Sequence, residues 1–162
     1  MSSRSGRVLM ATLLAGLVGA FAFPASVDAA PKTNSLSGNA ENSTFGFNGS
    51  IISNDDGSAV RGTFQVQSSG GNVTVDATCL RVGAVPGGRL ASTAGIVKAS
   101  SDPAVPVGSG IRVEAFDSDT PTPPDGLSFV ARPEPPGPGD CSVPSSVPSF
   151  ITKGDLTIRV GG

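Results

Sequence analysis

Asp117, Asp119 and Asp125 fall within one short stretch of the chain, and they are the residues whose type and spacing come nearest to a chemical site. A hard cation such as calcium needs several oxygens converging on one point. The stretch fails the EF-hand pattern, because its fifth position is Pro121 and no glycine stands at the sixth. The simpler expectation is a turn whose aspartates hydrogen-bond their own backbone. The three aspartates are therefore weak metal candidates, and no cofactor is assigned. Asp55-Asp56-Gly57 is the expected turn of a hairpin.

Catalytic chemistry has little to work with. The chain has no His, which removes the usual serine and cysteine triads and the imidazole metal ligand. A serine nucleophile would depend on Lys32, Lys98 or Lys153, and no Ser-x-x-Lys pattern occurs. Paired carboxylates for glycoside cleavage must face one cleft. Glu41 lies in a polar lead-in, Glu134 in a proline-rich loop, and Glu114 alternates with Val113 and Ala115 so as to face water. No catalytic residue is assigned, and the expected role is not enzymatic.

Trp and Tyr are also absent, so the amphipathic rings that commonly stack sugars and nucleobases are missing. The formal net charge is −2, and the basic residues are scattered singly. No phosphate-tracking stripe exists, and nucleic acid is not an expected partner.

The N-terminus carries an export signal. Arg4 and Arg7 precede an apolar run from Val8 to Phe23 that Pro24 ends, shorter than the roughly 20 apolar residues of a membrane helix. Val27 and Ala29 then stand at the spacing signal peptidase prefers, which places cleavage after Ala29. Residues 1–29 are expected to be removed, giving a secreted, extracellular product with no membrane insertion of the mature chain. In an oxidising compartment two cysteines mean one disulfide, and Cys79 and Cys141 are the only pair.

These residues must be positioned by strands. Residues 30–43 are polar and lack periodicity, so they are expected to form a flexible lead-in. The β domain is expected over 44–162, with a period of two. Phe45, Phe47, Gly49 and Ile51 alternate with polar residues, and Gly62, Phe64 and Val66 do so after the turn at residues 54–57. Val73, Val75, Ala77 and Cys79 form a third run, where Leu80 and Val82 break the phase and suggest a bulge or burial on both sides. Further strands are expected at residues 89–99, 111–116, 127–131 and 156–160. About seven short strands with no helical period predict an all-β fold, a single antiparallel β-sandwich or β-barrel. Most of the prolines fall in two loops, at residues 117–126 and 132–148, and proline keeps such segments out of ladders. Cys141 is expected to pin the second loop. The six phenylalanines of the mature chain are expected in its core.

Several motifs carry a resemblance: Val75-Asp76-Ala77-Thr78-Cys79-Leu80-Arg81-Val82, Gly95-Ile96-Val97, the run 101–108, Asp140-Cys141 and Gly154-Asp155-Leu156-Thr157-Ile158. With them the chain resembles an uncharacterised family of small exported bacterial β-rich proteins that has no assigned activity. The expected function is thus a non-catalytic exported domain acting by surface contact with an unknown extracellular or envelope partner. The alternative is a small β-barrel carrying an apolar ligand, since strands rich in Val, Ala and Gly could leave a cavity.

Overall fold

A computed structural model describes residues 32–122, 124–132, 134, 141–142 and 149–161. The expected signal at residues 1–29 lies outside them. Eight strands follow in order: β1 (Thr33–Glu41), β2 (Phe45–Asn54), β3 (Arg61–Ser68), β4 (Gly71–Val85), β5 (Gly88–Ser100), β6 (Gly110–Ser118), β7 (Gly126–Arg132) and β8 (Lys153–Arg159). All pair antiparallel in one sheet of order β7-β6-β5-β4-β3-β2-β1-β8. The fold is all-β as expected, and its single curled sheet is a half-barrel, not a two-sheet sandwich. Because β8 returns beside β1, the strands follow the circular order of an up-and-down meander, with one seam between β8 and the β6–β7 end.

The eighth strand corrects the expected lead-in. Within residues 30–43, β1 pairs with β2 on one edge and with β8 on the other, Leu36 opposite both Ile51 and Ile158. Leu36 and Ala40 are fully buried. One large apolar residue among Ser35, Ser37, Gly38 and Asn39 gives too faint an alternation to recognise locally. Two flanking ladders override that weak intrinsic preference.

Strand periodicity places the core. Leu36, Phe47, Ile51, Phe64, Val66, Val75, Leu80, Ile111, Val113, Leu127 and Ile158 all point to the concave side and are almost entirely buried. Burial of side chains of this size contributes roughly 1.5–3 kcal/mol each. Phe47 packs against Phe64 at 5.9 Å between ring centroids, and Phe45 reaches Phe129 at 4.9 Å. Phe150 departs from the expected aromatic core, being 50% exposed. It follows residues 132–148, where a proline-rich loop is expected and most of which lie outside the described residues, and it pairs with Gly126 through an isolated bridge. The expected phase break is a bulge in β4, where the pairing with β5 shifts register between Ala77 and Cys79. The shift turns Cys79 to the convex side and Leu80 to the core.

β5 is buried on both faces. Ala91 and Val97 belong to the interior cluster, whereas Leu90, Ser92 and Ala94 are buried on the convex side with Phe116 of β6. Cys141 is buried too, and its disulfide to Cys79 joins Cα atoms 6.0 Å apart. The bond thus anchors the chain between β7 and β8 against the convex face of β4 and β5.

Candidate functional site

The aspartate stretch lies at the seam. Asp117 is the penultimate residue of β6, opposite Arg89 of β5, and Asp125 immediately precedes β7. Since β8 spends the outward-facing donors of alternate residues on β1, the N–H groups of Leu156 and Ile158 face away from that ladder. Both are met by carboxylates. Leu156 donates to Asp125 Oδ2 at 3.0 Å and Ile158 donates to Asp117 Oδ2 at 2.7 Å. The other oxygen of Asp125 accepts the Ser118 N–H at 3.0 Å. Beyond these, the Ile151 N–H donates to the Asp125 carbonyl at 2.8 Å and the Leu127 N–H to the Ser149 carbonyl at 2.6 Å. Two aspartate side chains stand in for the missing rungs of a strand pair.

Asp119 is not part of that bridge. It turns outward to Arg89, whose guanidinium lies 3.0 Å from it and 4.0 Å from Asp117. Burial pushes the Asp117 carboxyl above the ordinary carboxylate range. Asp125 and Asp155 add to the rise, while the Ile158 N–H and Arg89 oppose it. Ser118, Asp119, Thr120, Asp125, Thr152 and Asp155 line an open groove of about 580 Å³ beside the seam. Among the described residues no three acidic or cysteine side chains converge to hold a metal ion. The three weak metal candidates are therefore placed in two separate tasks, Asp117 and Asp125 on β8 and Asp119 on Arg89.

The other candidates are dispersed. Glu114 does not face water as expected; it is three-quarters buried on the convex face, paired with Arg112 and near Ser128 Oγ at 3.5 Å. The neighbouring burial over β5 covers that part of the face, which strand alternation alone does not register. Lys98 is exposed and pairs with Asp76 at 3.4 Å, and Lys153 pairs with Glu41 at 3.7 Å. Asp56 sits in the β2–β3 turn, where Ser58 donates to it and holds its carboxyl below the ordinary range.

Sequence reasoning overlooked a different group, on the convex face of β1, β2 and β3. There Ser37, Ser50 and Thr63 form one cross-strand row, and Asn39, Asn48 and Gln65 form the next. Their alternation with buried residues was the available signal, but β1 had no assigned strand to complete it. Comparison with protein-family models, curated proteins and solved structures finds no match.

Proposed function

We propose that this chain is an exported, non-catalytic β domain that acts by surface contact in the extracellular or envelope space, among the small bacterial β-rich proteins it resembles. The observation that carries this reading is the employment of Asp117 and Asp125. The acids best spaced for chemistry hold the backbone of β8, so they serve the scaffold. A disulfide pinning the chain to its own sheet suits an oxidising compartment. The concave side is filled by side chains such as Phe47, Phe64 and Leu36, which favours a packed scaffold over a carrier of apolar ligands. What such a scaffold offers a partner is its outer surface.

Native mass spectrometry of protein purified from its own secretion medium tests the proposal. The expected mass is that of residues 30–162 less two hydrogens, with no bound small molecule. A co-purifying lipid or pigment would overturn the reading in favour of the ligand-carrying barrel.

A further inference from the structure

Two central rows on the convex face of β1–β3 are polar without being charged, with exposed Ile52 and Arg61 in the row on one side of them and Glu41 in the row on the other. Ser37, Ser50 and Thr63 lie in register, followed along the strands by Asn39, Asn48 and Gln65. Charged residues border the block: Asp155 and Asp76 end its rows, and Lys153 with Glu41 and Arg159 with Arg61 stand beyond it along the strands. Among the described residues, none of these six side chains makes a hydrogen bond to another protein group, although hydroxyls and amides elsewhere in the fold do so repeatedly, as Asn34, Asn42 and Thr93 show. The surface is indented as well. Asn48, Ser50, Thr63, Gln65 and Thr74 line an open groove of about 490 Å³, floored by the backbone of Gly49 and Gly62. A Cβ on Gly62 would strike the β2 backbone at Ser50, and its φ is +128°, so glycine is required where β3 runs this close to β2.

We infer that this groove is a docking surface for a neutral, hydroxyl-rich polymer, that is, an uncharged polysaccharide chain. The inference rests on the contact role proposed above and names its ligand class. Ser, Thr, Asn and Gln each both donate and accept, which complements a ligand whose hydroxyls do the same. An anionic or cationic ligand would find no countercharge within the groove. An apolar one would strip water from these groups without replacing their hydrogen bonds. Strands about 4.8 Å apart and side chains repeating every second residue supply a regular lattice of such groups, which suits a repeating chain better than a single small molecule. Because no aromatic ring stacks the sugar, each unit binds weakly and retention comes from many units along one polymer.

The test is co-sedimentation of the secreted, disulfide-intact protein with microcrystalline cellulose and with an insoluble neutral α-glucan, alongside calcium-crosslinked alginate as an acidic control. The wild type is expected to sediment with at least one neutral polymer, with retention unchanged by high salt. The exposed double substitution Asn48→Ala/Gln65→Ala is expected to reduce retention at least tenfold, and Thr63→Lys to do the same by obstructing the groove, with unchanged circular dichroism and melting for both. Retention on neither neutral polymer, retention on alginate only, or sedimentation indifferent to the variants would overturn the inference. So would ice-growth inhibition abolished by the same variants without polysaccharide binding, since that would assign the lattice to ordered water. Failure here with a ligand-free native mass leaves the contact role standing. A bound lipid or pigment in the native mass removes the contact role itself.

Discussion

Asp125 holds the last strand of the sheet by its backbone: its Oδ2 accepts the Leu156 N–H at 3.0 Å, 31 residues along the chain. Together with Asp117 and Ile158, this pair closes a seam that no strand ladder spans. Open strand edges are liabilities because they recruit other chains, and here carboxylates cover the exposed donors of β8. Replacing Asp125 with Ala strands the N–H groups of Leu156 and Ser118. The expected cost is about 1–3 kcal/mol, read as a lower urea midpoint. Amide exchange should show selective loss of protection at Leu156; unchanged exchange there would refute the bridging role.

Asp117 gives the fold a pH dependence of definite sign. Its carboxyl titrates above the ordinary value, chiefly through burial and with help from Asp125 and Asp155. The folded state therefore binds this proton more tightly than the unfolded chain. The contribution of the group to stability is full below the unfolded value near 3.8 and is lost as pH rises through the raised folded value. Asp117→Asn removes this component, so wild-type stability relative to the variant should grow on acidification across that window. Chemical denaturation of both proteins at a series of pH values measures it, and a difference that shrinks on acidification would contradict the assignment.

The disulfide closes a segment with a sequence separation of 62. In the chain-entropy account, losing it costs about 4 kcal/mol. Cys79→Ser/Cys141→Ser should lower the thermal midpoint substantially, and reduction of the wild type should add two hydrogens to the mass. Free-thiol labelling of native protein at either cysteine would refute the bond.

Gly154 sits where β8 joins β1, with φ +94° and no room for a Cβ against the Asn39 carbonyl. Gly154→Ala should destabilise by about 1–3 kcal/mol, the usual range for a residue held in so sparsely populated a region. Its exchange signature should be local, with amides of β8 losing protection before those of β4 and β5. A urea midpoint equal to that of the wild type would show that the strand relaxes freely at this point.

Alternation alone determined seven of the eight strands, because Phe47, Phe64, Val75, Val113 and Leu127 recur at a period of two, and that period is local. The bulge was legible for the same reason, as a change of phase at Leu80. Two cysteines left only one pairing to make. β1 was hidden, since Leu36 and Ala40 are its only fully buried apolar residues, and its identity as a strand comes from neighbours on both edges that lie far apart in sequence. Only tertiary structure decided that the sheet curls into one layer, that Glu114 is covered, and that Phe150 is exposed. It also decided the fate of the aspartates. Spacing brings Asp117, Asp119 and Asp125 near one another, but which groups they meet depends on where β8 returns, and side chains that satisfy distant backbone donors leave no local pattern in the chain.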